Sequence, residues 1–202
     1  MLELVVITAE KSLAHEAQLL TQLFERGLST LHLRKPDATE DEVRALIAAI
    51  HPDYHSRIVL HDHFRLCCDF RLKGVHLNRR NPSPPEKGAT SVSASCHTIK
   101  ELSALTHLDY LFLSPIFDSI SKVGYSQGFS AEELSSATRA GIINKKVIAL
   151  GGITPDTAAL AAQYGFGGVA VLGWLWGNYE KDKDEVALLH RFTALKSKCN
   201  IV

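Results

Sequence analysis

The sequence predicts an α/β fold, a compact (β/α)8 TIM barrel in a single domain over residues 1–202. Three observations predict it. Short β-type runs recur at eight places along the chain. Helical patterns fill several of the gaps between them. No linker, repeat or low-complexity stretch interrupts the 202 residues, a length that suits eight compact repeating units. A doubly wound open sheet is the alternative, and at this length it would usually have fewer strands.

The runs are LVVIT (4–8), TLHLR (30–34), RIVLHD (57–62), GVHLN (74–78), SVSAS (91–95), YLFLSPI (110–116), KVIALGG (146–152) and GGVAVLG (167–173). Several are apolar almost without a break, as parallel strands covered on both faces require. Helices are expected over 14–26, with Leu19, Leu20, Leu23 and Phe24 on one face, and over 40–50, with Val43, Leu46, Ile47 and Ile50. Further helices are expected over 98–105, 130–140, 155–164 and 184–198. Thr39, Ser130 and Thr154 suit N-caps, and Pro155 sits where a missing N–H costs nothing. Residues 64–70 offer only a short helix, and NPSPPEKG (81–88) cannot form a full one around its prolines.

Composition narrows the function. Lys+Arg and Asp+Glu number 22 each, so no net field draws in nucleic acid or a membrane surface. The cysteines, Cys67, Cys68, Cys96 and Cys199, have neither zinc-ribbon spacing nor a disulfide framework. The start MLELVVITAE reads as a first strand rather than a secretion signal, and no apolar run reaches membrane length. A reduced, cytoplasmic protein acting on small molecules is the expectation, and the sequence permits a homo-oligomer.

In a barrel, chemistry collects at the C-terminal ends of strands, and phosphate often binds after strands seven and eight. Gly151-Gly152 ends the seventh run, and Leu172-Gly173 ends the eighth. Glycine admits close backbone approach, and N–H groups at a helix start attract anions. The loop after strand six, SPIFDSISK (114–122), offers Ser119, Ser121 and Lys122 as a hydroxyl-plus-cation grip for phosphate oxygens. On strand two, His32 and Arg34 share a face, and an arginine there calls for an anion to pair with. Ser95-Cys96-His97 ends strand five, placing a histidine able to exchange protons beside a hydroxyl that could bind substrate. His61-Asp62-His63 with His76 raises a rival, a zinc-dependent hydrolase, although strands seven and eight offer no further ligands.

From LHLRK through LHD, GVHL, SCHT, DYLFLSPIF-SISK and ALGGIT to GVAVLG, the order and spacing of motifs resemble the thiamine-phosphate synthase and thiazole tautomerase (TenI-like) superfamily. The resemblance implies a (β/α)8 barrel whose synthases join a pyrimidine diphosphate to a thiazole phosphate with loss of diphosphate. It implies that Arg34, Ser95 and Lys122 bind diphosphate oxygens, that Asp62 binds Mg2+, and that Ser119 and Ser121 belong to a phosphate loop. Gly152 and Gly173, with their neighbours Gly151 and Leu172, would cradle the thiazole phosphate, and His32 and His61 would face substrate.

This chain departs from the synthase pattern, which has glutamine at His32, lysine at Pro36 and asparagine at His61. The second magnesium-binding aspartate aligns with Asn81, inside NRRN, where Arg79 and Arg80 could neutralise diphosphate in place of part of the metal site. The sister tautomerase reaction needs no metal and would use His97 as its acid–base residue. A third reading is a barrel that binds thiazole phosphate without turnover. Synthase is the favoured expectation, since GVHL (74–77) and the Ser119–Lys122 loop resemble it more closely.

Overall fold

The structure, a computed structural model, describes residues 1–117, 128–177 and 179–201. All eight expected strands are present: β1 (Glu3–Ile7), β2 (Thr30–Leu33), β3 (Ile58–Leu60), β4 (Gly74–Leu77), β5 (Val92–Cys96), β6 (Tyr110–Leu113), β7 (Val147–Leu150) and β8 (Gly168–Val171). They follow one another in a closed barrel from β1 to β8. The helices are α1 (Glu16–Glu25), α2 (Glu40–Ala48), α3 (Leu66–Asp69), α4 (Ile99–Ala104), α5 (Ala131–Arg139), α6 (Pro155–Gln163), α7 (Gly173–Trp176), α8 (Tyr179–Asp182) and α9 (Glu185–Ile201). Residues 81–88 form no helix, in keeping with their prolines. The short α7 and α8 are additions to what the sequence predicts. The chain divides into two compact units, Met1–Val5 with Ala94–Val202, and Val6–Ser93.

Within Val6–Ser93, β2 pairs in parallel with β3, His32 opposite Val59 and Leu33 opposite Leu60. β3 pairs with β4, Leu60 opposite Val75. Strand alternation then sends Leu31, Leu33, Ile58 and Leu60 to one face and His32, Val59 and His76 to the other. Helix α1 buries Leu19, Leu20, Leu23 and Phe24, and α2 buries Val43 and Ile47. Each such side chain contributes about 1.5–3 kcal/mol through removal from water. Beneath the polar-looking segment after β2 lies a buried ion pair. Lys35 Nζ donates to Glu16 Oε1 at 2.7 Å and to the carbonyls of Ala9 and Lys11 at 2.8 Å each. It fastens the segment between β1 and α1 to the end of β2.

Within the other unit, β6 pairs in parallel with β7 and β7 with β8, Leu150 opposite Ala170. Helices α6 and α9 pack together, and α6 presents only alanine at its buried positions Ala158 and Ala161, so the large Leu188, Phe192 and Leu195 of α9 can be buried completely. The predicted N-caps form. Thr39, Ser130 and Thr154 each accept the N–H of the residue three on, in reciprocal capping boxes, and Pro155 opens α6. Cys67, Cys96 and Cys199 are buried free thiols, and Cys68 is exposed. Burial pushes each of the three enclosed thiols up to about 11. No helix among the described residues is long and apolar enough to cross a membrane.

Candidate functional site

In Val6–Ser93 the candidate residues gather at the C-terminal ends of β2, β3 and β4. Buried Thr8 bonds the backbone of Arg34 twice, accepting its N–H at 2.9 Å and donating to its carbonyl at 3.0 Å. Arg34 is thereby held just past β2, and its guanidinium pairs with Glu10. Lys35 does not stand in for the lysine expected at Pro36, because its ammonium is 2% exposed and committed to Glu16 and two carbonyls.

Three histidines meet on the same face of these strands. His32, His61 and His76 are 0%, 5% and 2% exposed, and one nitrogen from each lies within 4.8 Å of the others. His32 Nδ1 is 2.9 Å from His61 Nε2, His61 stacks on His76 with centroids 4.3 Å apart, and Ser93 Oγ lies 2.8 Å from His76 Nδ1. Burial is the largest cause of their depressed basicity, with neighbouring positive charge adding to it. His32 and His61 fall well below the ordinary histidine range and His76 falls to about 3. The cluster is neutral at pH 7.

The zinc set expected from sequence does not assemble in that form. His63 adopts a left-handed backbone, and its Nε2 lies 2.9 Å from the Ala38 carbonyl oxygen. His32 takes its place beside His61 and His76. In-plane lone pairs on the stacked His61 and His76 rings, 18° from parallel, run side by side rather than converging on one ion.

The loop after β4 is organised by Asn78, which sequence reasoning overlooked. Its Oδ1 accepts the N–H of Arg80 at 2.9 Å and of Asn81 at 3.2 Å, while its Nδ2 donates to the His61 carbonyl at 2.5 Å. An asparagine ending a strand before a polar loop is the available sequence signal for such a turn. The turn delivers Arg80 and Asn81 to Asp62. Arg80 Nε and Nη2 each donate to the carboxylate at 3.0 Å, and Asn81 Nδ2 adds a third bond at 3.0 Å. This donor set does not suit magnesium. The one carboxylate already accepts three hydrogen bonds, and Asn81 turns its NH2 rather than its oxygen toward it.

In the other unit, Ser95 lies on β5 with its side chain exposed, and His97 follows. The His97 backbone N–H bonds Glu101, and its Nδ1 is 2.9 Å from the Ser114 carbonyl oxygen. A carbonyl can only accept, so Nδ1 carries the proton and Nε2 keeps the lone pair in the neutral ring. Ser119, Ser121 and Lys122 fall outside the described residues.

Past β7, Gly151 and Gly152 take φ of 100° and 62°, which side-chain-bearing residues rarely adopt. A Cβ on Gly151 would come within 2.9 Å of Pro115 Cα and Cβ. Thr157 Oγ1 holds the turn by donating to the Gly152 carbonyl at 2.8 Å. β8 ends at Val171 rather than running to 173, and Leu172 caps α7, whose first residue is Gly173. These two turns follow neighbouring strands, where barrels place phosphate between the last βα loops and a short extra helix. A groove of about 790 Å³ beside α1 and α2 reaches Glu16 and Lys35 and includes none of the predicted site residues.

A closed eight-stranded barrel with basic, acidic and hydroxyl groups and glycine turns just beyond its strand ends has the form of a (β/α)8 barrel enzyme of phosphorylated substrates. Residues 4–175 match the family described as thiamine monophosphate synthase. The chain belongs to that family. It is similar to a crystal structure of thiamine phosphate pyrophosphorylase from Bacteroides thetaiotaomicron, with a TM-score of 0.91 and 40% identity over 99% of this chain and 98% of that one. It is 26% identical over 163 residues to the thiamine-phosphate synthase of Cronobacter sakazakii, covering 76% of this chain and 77% of the relative. A thiamine phosphate pyrophosphorylase from Pyrococcus furiosus, 20% identical, shares the fold with a TM-score of 0.75 over 99% of this chain and 96% of that one.

Proposed function

We propose that this protein condenses a pyrimidinylmethyl diphosphate with a thiazole phosphate, forming thiamine phosphate and releasing diphosphate. The family match over residues 4–175 carries this reading. In it, the methylene–oxygen bond breaks with both electrons leaving on diphosphate, and the thiazole nitrogen lone pair forms the new C–N bond to the ring-stabilised cation. The protein positions the two substrates and neutralises the departing charge. Arg34, Ser95 and Lys122 bind diphosphate oxygens, and the turns at Gly151-Gly152 and Leu172-Gly173 receive the thiazole phosphate. Ser119 and Ser121 add hydroxyls to the phosphate loop. His61, 5% exposed, offers the pyrimidine a neutral imidazole edge, while His32, expected from sequence to face substrate, is 0% exposed and supports His61 from behind with its Nδ1 2.9 Å from His61 Nε2. Incubation with both substrates should give thiamine phosphate at a catalytic rate; its absence under every condition of metal and pH would reject the assignment.

One observation favours a second reading. The Ser114 carbonyl holds His97 by Nδ1 at 2.9 Å, which fixes the ring and leaves Nε2 as the nitrogen that can exchange a proton with a thiazole carboxylate phosphate. His97→Ala should abolish tautomerase turnover while leaving part of the synthase turnover. Equal loss of both, in protein with an unchanged unfolding midpoint, would contradict this division. Binding of thiazole phosphate with neither turnover would leave a non-catalytic barrel.

A further inference from the structure

Diphosphate release is the step most dependent on positive charge, and the carboxylate expected to hold a metal for it is already occupied. Asp62 is only 12% exposed, and it accepts both Arg80 donors in a fork as well as the Asn81 amide. Arg80 is fixed at its backbone by Asn78, while its side chain is half exposed. Two of its five N–H groups bond Asp62, which leaves three on the planar guanidinium for an anion.

The charges also balance. Asp62 and Arg80 carry one charge each and sum to zero, so the carboxylate is already neutralised without a divalent ion.

We propose that Arg80, oriented by Asp62 and Asn81, is the cationic group that receives the leaving diphosphate, so this site binds diphosphate without a metal ion. Asp62 acts as a positioning residue for the guanidinium. The inference rests on the synthase reading only for the identity of the anion; the anion site itself is testable alone. Bidentate guanidinium–phosphate bonds suit this geometry, and no change in the Asn78 turn is needed to offer them.

The test is calorimetric titration of the full chain with inorganic diphosphate, in EDTA and in magnesium. Wild type should bind in EDTA, with magnesium changing Kd by less than about threefold. Arg80→Ala should raise the metal-free Kd by about tenfold to a hundredfold, as loss of hydrogen bonds from a charged group predicts. Arg80→Lys, which keeps the charge and loses the fork, should fall between them. The double variant R80A/N81D, with two free carboxylates, should recover tight diphosphate binding only when magnesium is added. Binding by wild type that requires magnesium, or a metal-free Kd unmoved in both Arg80 variants, would overturn the proposal. Arg80-dependent binding in EDTA supports it even if no thiamine phosphate is ever formed, an outcome that would reject the synthase reading alone.

Discussion

Lys35→Met should destabilise the protein by about 3–5 kcal/mol, the cost of leaving one member of a buried ion pair without its partner. Lys35 and Glu16 have side chains 2% and 3% exposed, so Glu16 would keep the Leu13 N–H at 3.2 Å but gain little water in place of its cation. The Ala9 and Lys11 carbonyls would lose their donor as well. Urea unfolding followed by circular dichroism gives the number. The double variant K35M/E16L should recover much of the loss, because it removes both charges from a site already enclosed by protein. A single variant within about 1 kcal/mol of wild type, the range of an exposed pair, would show that water reaches the pair.

The second large effect is acid sensitivity from the histidine cluster. Folded-state pKa values lie below the unfolded value for His32, His61 and His76, so below about pH 6.5 the unfolded chain binds more protons than the folded one. Stability from neutral burial is therefore complete above that pH and is lost as the pH falls toward the folded value, about 3 for His76. The groups facing these rings act in the same direction: Lys73 on His32, Arg34 and Arg80 on His61, and Arg34 on His76. Each depressed histidine contributes a slope of up to about 1.4 kcal/mol per pH unit. Stability from urea midpoints should thus fall steeply between pH 6.5 and 4.5. His76→Gln, keeping a polar contact for Ser93, should flatten that fall by roughly one histidine's share. An identical slope in the variant would mean that His76 protonates in the folded state as it does in the unfolded one.

The strands were legible because each alternates or runs apolar over a few residues, and the caps because Thr39, Ser130 and Thr154 each precede a helical pattern. Helix α7 was not legible, since Gly173–Trp176 is too short to show a period. The histidine cluster was half legible. Alternation paired His61 with His63, but the real partners are set by register between strands, which brings His61 one step past the Leu60–Val75 pair and beside His76. The Lys35–Glu16 pair left no local trace, its members lying 19 positions apart in segments that both read as surface. The sequence reads Asp62 as closing strand three, whereas β3 ends at Leu60 two residues earlier, and the tertiary fork from Arg80 decides what the Asp62 carboxylate can hold.

The distribution of thiols turns the two compact units into separately readable clocks. A neutral-pH alkylating reagent should take up one equivalent per native chain at exposed Cys68. Further uptake requires opening, and its site says which unit opened: Cys67 reports Val6–Ser93, while Cys96 and Cys199 report Ala94–Val202. Mass spectrometry of the labelled chain over time would show whether the units open together or in sequence. Simultaneous loss of protection at all three buried sulfurs would mark the barrel as a single cooperative body, and staggered loss would give each half its own lifetime.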